Sequence, residues 1–174
     1  MKGTRTVNHD FEEIYRKYYN RVYMFLLKMC KSTDLAEELT QETFYQAFCS
    51  FHRYDGSCHI FTWLAAVGKN TFFKYLRKNK NQAADLELFV DIITAPGDDE
   101  PESISQKSFV SSGVRRAVAD LPQKYRDVVI LRIYGELAFA EIGANLGITE
   151  NSAKVIFFRA KNIIKEQLKN ENIM

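Results

Sequence analysis

The chain has 174 residues, 46% of them hydrophobic, with a formal net charge of +2. That length and apolar content allow one medium domain or two small ones with true cores, and exclude a disordered chain. No run approaches the roughly 18 apolar residues of a membrane span, the opening MKGTRTVNHD has no apolar signal region, and only 8 Gly and 3 Pro punctuate the chain, so a soluble all-α protein is expected.

Cys30, Cys49 and Cys58 are odd in number and lack C-x-x-C spacing. They read as reduced thiols in a cytoplasm. His52, Cys58 and His59 do not make a four-ligand zinc set, so neither metal nor cofactor is expected.

The first predicted helix runs over about residues 10–30, with Asp10 as N-cap. Phe11, Ile14, Tyr18, Val22, Phe25 and Met29 recur at spacings of three and four, the core stripe of an amphipathic helix. A second helix spans about 34–51. Leu35, Leu39, Phe44, Ala47 and Phe48 read as inward, against an outer face of Glu37, Glu38, Gln41, Glu42 and Gln46. That face is either solvated or a docking surface for a basic partner. Residues 52–59 form a loop with turn chemistry at Asp55-Gly56-Ser57.

A third helix follows from Ile60 to about Lys80. Phe61, Leu64, Ala65, Gly68, Phe72 and Leu76 read as core, and core packing is the favoured reading of Trp63. Lys69, Asn70, Lys74, Arg77, Lys78 and Lys80 form a basic tail. Cations track phosphates and aromatic rings hold unstacked bases, so this helix and its loop suit a single strand. A solvated helix end, whose cations complement the dipole, is the plainer alternative.

Charge divides the chain. Residues 1–80 carry 13 Lys and Arg against 8 Asp and Glu; residues 81–112 carry one Lys against seven acids; residues 113–174 carry ten against seven. The middle segment also holds Pro96-Gly97 and Glu100-Pro101, which disfavour a helix. It reads as an acidic flexible linker between two basic helical blocks.

The last block reads as helix, turn, helix, turn, helix. A short helix is predicted over Phe139–Leu146, anchored by Leu137, Ile142, Leu146 and Ile148. Gly147 supplies a left-handed turn residue. Thr149 is the N-cap of the final helix and Glu150 sits in its first turn. Numbered from Asn151 at about 100° per residue, Ala153, Ile156, Phe157, Ala160, Ile163 and Ile164 gather on one side. Asn151, Lys154, Val155, Phe158, Asn162 and Lys165 lie opposite, with Ser152, Arg159 and Lys161 flanking. Amide, cationic and apolar groups on one outward face suit the recognition helix of a helix-turn-helix in a major groove. The alternative is a three-helix bundle that binds nothing.

Three stretches together resemble the extracytoplasmic-function group of bacterial sigma factors, the promoter-specificity subunits of RNA polymerase. DLAEELTQETFYQAFCSF resembles the family's second-region helix. FTWLAAVGKNTFFKYLRK resembles the promoter-reading helix after it. LPQKYRDVVILRIYGELAFAEIGANLGITENSAKVIFFRAK resembles the fourth region almost end to end.

The resemblance implies two small helical domains, region 2 over 8–80 and region 4 over 113–170, joined by the acidic linker 81–112. It implies no enzyme, but a partner of core RNA polymerase and promoter DNA. The polymerase would dock on Glu38, Leu39, Gln41, Glu42 and Phe44. Arg53, Asp55, Gly56, Ser57, Lys69 and Asn70 would hold the base flipped out of the −10 element, and Arg77, Lys78 and Lys80 would grip phosphates. Asn151, Ser152, Lys154, Val155, Phe158, Arg159 and Lys161 would read the −35 duplex. An anti-sigma factor, membrane-anchored in many relatives, is the further partner implied. In the family the linker passes near the RNA path, where its carboxylates would imitate phosphates. Replacing them with Gln or Asn should then change the rate of promoter escape in a single-round transcription assay.

Two departures bear on the −35 preference. The family often has Arg where this chain has Ile156, and Ser-Tyr where it has Ala138-Phe139. The competing function classes are a free-standing helix-turn-helix regulator, which would bind an operator unaided, and a nucleic-acid-processing enzyme, which would need clustered acids for metal. This chain has no such cluster, no Walker loop and no nucleophile motif.

Overall fold

Apolar side chains three and four residues apart build two helical units, residues 1–82 and 83–174. The computed structural model describes residues 3–79, 117–118 and 120–170. The linker at 81–112 and Lys80 lie outside the described residues.

In the first unit, α1 covers Gly3–Cys30. It starts well before the expected N-cap at Asp10, because nothing between residues 3 and 9 is a proline or other strong helix breaker. Phe11, Tyr18, Val22, Phe25 and Met29 are buried as their spacing predicts, and Ile14 is half-buried. The helix ends where Lys31 turns left-handed at φ 57 and donates its N–H to the Leu27 carbonyl at 2.9 Å.

Ser32 then caps α2, Thr33–Ser50, its hydroxyl oxygen accepting from the Leu35 N–H at 3.3 Å. Ala36, Leu39, Phe44 and Ala47 face the core. Thr40 and Thr43 join them because their hydroxyls donate to the Ala36 and Leu39 carbonyls, both at 2.6 Å, which offsets the cost of burying a polar group. Phe48, expected inward, is 45% exposed. It stands at the edge of the stripe, its ring meeting Phe11 edge-on at 5.2 Å.

A 3-10 turn at Phe51–Arg53 leads to the loop and then to α3, Ile60–Lys78. Phe61, Leu64, Ala65 and Phe72 close the three-helix core. Phe61, Leu64 and Phe72 each contribute about 1.5–3 kcal/mol by leaving water.

The second unit contains α4, Gln123–Ile133, α5, Phe139–Leu146, and α6, Glu150–Asn170. Helix α5 has the bounds expected from its pattern. Ala138 offers no capping oxygen, but Glu141 Oε2 accepts the Ala138 N–H at 2.8 Å, which keeps half of a capping box. Helix α5 ends at Gly147, left-handed at φ 65 and ψ 37, and the Ile148 N–H returns to the Gly143 carbonyl at 2.9 Å. Thr149 caps α6, its Oγ1 accepting the Ser152 N–H at 3.1 Å.

Ala153, Phe157, Ala160, Ile164 and Leu168 of α6 are buried; Ile156 and Ile163 lie at the stripe's edge, half-buried. Arg132 ties the turn before α5 to the scaffold. Its guanidinium donates to the Leu137 carbonyl at 2.8 Å and lies 4.7 Å from the centre of the Phe139 ring. The described residues are helices and turns without a strand, and no helix among them is long and apolar enough to cross a membrane.

Candidate nucleic-acid interface

The exposed face of α6 gathers most of the residues assigned to duplex reading. Asn151, Lys154, Val155, Phe158 and Arg159 are exposed, with Val155 at 38% and Phe158 at 58%. Phe158 is nonetheless braced: its ring meets Phe157 edge-on at 5.7 Å, and Phe157 meets Phe139 at 5.5 Å. Lys154 pairs with Glu150 one turn back at 2.7 Å. Such an exposed pair is worth about 0.3–0.5 kcal/mol, so the ammonium is readily given up to a phosphate. Ser152 and Lys161 are half-buried at the flanks, and the Ser152 hydroxyl accepts from Thr149 at 2.9 Å. Ser152 is thus partly committed to the cap.

The loop between α2 and α3 is a built structure. Asp55 Oδ1 accepts the Ser57 N–H at 2.9 Å around Gly56 at φ 75. The Ser57 amide and hydroxyl hold the Asp55 carboxyl below its usual range, so it stays ionised. The Tyr54 hydroxyl donates to the Cys58 carbonyl at 2.6 Å, while its ring meets Trp63 at 5.3 Å and stacks on Phe51 at 6.1 Å. Burial pushes the Tyr54 phenol up, which keeps it a donor. Trp63 is half-buried: its ring belongs to this aromatic post rather than to the deep core.

His59, read as an ordinary loop histidine, caps α3 by accepting the Phe61 N–H on Nδ1 at 3.2 Å. Arg21 lies over the Phe61 ring at 3.6 Å and pins the same helix start. Arg53, Asp55, Gly56 and Ser57 are exposed beside this post, as are Asn70, Arg77 and Lys78. Lys69 is a correction. It is only 4% exposed, turned into the unit beside Gly68, and does not present its ammonium to the surface. The spacing carried that signal, since Lys69 follows Ala65 by four and precedes Phe72 by three.

On α2, Glu37, Glu38, Gln41, Glu42 and Tyr45 are exposed. Leu39 and Phe44, assigned to the docking face, are each 3% exposed. Their side chains form the core beneath that face, and Leu39 reaches it only as the floor of a cleft against α3. The cleft has a volume of about 450 Å³ and sets Glu38 and Glu42 across from Lys74 and Lys78.

Comparison with known proteins assigns both units. Residues 14–82 match the Sigma-70 region 2 family and residues 112–164 match Sigma-70, region 4. The ECF RNA polymerase sigma factor SigM of Bacillus subtilis (strain 168) is 34% identical over 154 residues, covering 88% of this chain and 92% of that protein. The ECF RNA polymerase sigma factor SigW of the same organism is 27% identical over 97% of this chain and 92% of its own length. Among solved structures, the sigma factor RpoE in complex with the anti-sigma factor NepR from Bartonella quintana has the same fold, with a TM-score of 0.50 and 19% identity over 92% of this chain and 97% of that one.

Proposed function

The chain belongs to the extracytoplasmic-function group of bacterial sigma factors, and from that premise we propose how its two units divide the work. It binds core RNA polymerase and directs promoter-specific initiation of transcription. The unit at 8–80 docks polymerase through the outer face of α2, with Glu38, Gln41 and Glu42 as its polar contacts. The same unit holds an extruded −10 base against Arg53 and the Asp55-Gly56-Ser57 turn, with Asn70 beside them. Flipping a base costs a few kcal/mol, which pocket contacts and stacking offset. Arg77 grips the backbone. The unit at 113–170 lays α6 in the major groove at the −35 element. Asn151, Lys154 and Arg159 meet base edges and phosphates; Val155 and Phe158 meet thymine methyls.

The observation that carries this reading is the outward face of α6, where an exposed Phe and Val stand among amide and cationic groups. A merely solvated helix has no need of them. The chain supplies promoter recognition, and polymerase supplies the chemistry in the cytoplasm. Its modest net charge of +2 fits a protein whose DNA affinity depends on polymerase and on tethering two readers. In a mixture with core polymerase, the full chain should run as one complex, and only that complex should retain a promoter fragment. Tight specific retention by the chain alone would favour the free-standing regulator.

An anti-sigma factor, membrane-anchored as in many family members, completes the proposal. The exposed Val155 and Phe158 offer it hydrophobic footing. Tagged protein recovered from its native cell should carry a stoichiometric partner other than polymerase; polymerase alone would contradict this.

A further inference from the structure

Helix α3 begins on an uncommon cap. His59 is exposed, and its Nδ1 accepts the Phe61 N–H at 3.2 Å. The leading N–H groups of a helix have no partner within it, and a Ser, Thr, Asp or Asn oxygen usually serves one of them. Here a ring nitrogen does so, which leaves the ring proton on Nε2. The same ring meets Tyr18 of α1 edge-on at 5.9 Å. Phe61 in turn stacks on Tyr18 at 6.5 Å and lies under the Arg21 guanidinium at 3.6 Å. His59 thus joins the loop, the start of α3 and α1.

The loop it carries is closed on itself. The Tyr54 hydroxyl donates to the Cys58 carbonyl at 2.6 Å, and Asp55 Oδ1 accepts the Ser57 N–H at 2.9 Å. Residues 54–58 therefore move as one piece about their two ends. At the α2 end the Tyr54 N–H donates to the Phe51 carbonyl at 3.0 Å. At the α3 end the piece is held by His59, whose side chain caps the helix and whose carbonyl accepts the Trp63 N–H at 3.1 Å. A cleft of about 340 Å³ lies between α1 and the loop, with Ile14 and Tyr18 on one side and Tyr54 and Ile60 on the other. The loop does not rest solidly on α1, so a slack junction has room to swing.

Resting on the reading of Arg53 and the Asp55-Gly56-Ser57 turn as holders of the −10 base, we infer that His59 is a positioning residue for that base. It acts through the loop rather than on DNA. Its Nδ1 fixes the angle at which the loop enters α3. That angle sets where the turn stands relative to Asn70 on α3, the other side of the base site. Without the acceptor, the Phe61 N–H turns to water and the first turn of α3 frays. The base site is then assembled only part of the time, and apparent affinity for the flipped base falls by that fraction. The loss falls on promoter opening, the step that needs the flipped base. Polymerase binding is spared, because its residues lie on α2.

The test uses the full chain with core polymerase, at a temperature where Trp63 fluorescence reports every variant folded. His59→Ala should slow the opening of a duplex promoter about fivefold, the fold-change of a typical lost cap. His59→Phe keeps a ring for Tyr18 but has no acceptor, so it should be equally slow. His59→Asn and His59→Ser restore an acceptor and should open within about twofold of wild type. Affinity for core polymerase should match wild type in all four. Rescue by Phe would overturn the inference and give the role to ring packing against Tyr18. Asn and Ser as slow as Ala would overturn it and give the ring a direct contact with the strand. Polymerase affinity falling in step with opening would make His59 a folding residue, and unchanged opening would leave it no role; either result overturns the inference. Arg53→Ala with Ser57→Ala separates the failures. Unchanged opening in that pair would defeat the −10 reading itself, whereas slowed opening there with His59→Ala unaffected would defeat this inference alone.

Discussion

Gly143→Ala should unfold the C-terminal unit at a temperature where the other unit is still intact. A Cβ at this position would sit 2.7 Å from the Ile148 carbonyl oxygen and 3.3 Å from the Glu150 nitrogen. Both are backbone atoms at the turn between α5 and α6, so no side chain can swing aside. The Gly143 carbonyl also accepts the Ile148 N–H, and any shift loosens that closure. Overpacking of this kind costs about 1–3 kcal/mol. In a unit of this size each kcal/mol lowers the melting temperature by about 4–8 °C, so a drop of about 4–24 °C is expected. The single tryptophan, Trp63, lies in the first unit, so its fluorescence reports that unit alone. The helical circular dichroism signal should lose stability in part, while the Trp63 midpoint holds. A Trp63 midpoint that falls in step would show that the units do not unfold separately. An unchanged circular dichroism curve would contradict the tight turn.

Phe158→Glu should abolish −35-dependent transcription and leave melting untouched. Phe158 is 58% exposed, so its removal opens no core cavity. The change removes the apolar contact to a thymine methyl that the proposal assigns to Phe158. It also places a carboxylate against phosphates between Lys154 and Arg159. Together these predict a loss of about 100-fold, or about 2.8 kcal/mol at 1.4 kcal/mol per decade. The loss should appear on linear promoters that need the −35 element. On templates with a pre-melted −10 bubble and no −35 element, output should match wild type. Equal activity on both templates would remove Phe158 from the DNA-reading face.

Where helical phase alone decides a residue's direction, the sequence was a sufficient guide. Helix α5, the Gly147 turn, the Thr149 cap and the outward set on α6 follow from period and capping chemistry, because short-range rules decide them. In the first unit helical phase also sets direction, but the residues assigned to docking and to the −10 base do not all follow it. Leu39 and Phe44 were placed on the docking face because the family motif runs through them, yet their helical phase buries them. Lys69 was read as a surface cation by residue type, although its neighbours at four and three residues mark an inward position. His59 caps α3 through a ring nitrogen, which no common capping pattern announces. Tyr54 holds the loop through a hydrogen bond to the Cys58 carbonyl that only the folded loop brings within reach. The two-walled groove joins residues more than thirty positions apart, and no local pattern encodes it.

Mapping transcription starts tests the central claim most directly. Core RNA polymerase from another bacterium, the full chain and a pool of genomic promoter fragments should yield new starts. Those starts should share two sequence elements at a fixed spacing, one read as duplex and one melted. Scrambling either element should silence them. Absence of chain-dependent starts, together with specific DNA binding by the chain alone, would contradict the assignment of the two units as readers for polymerase.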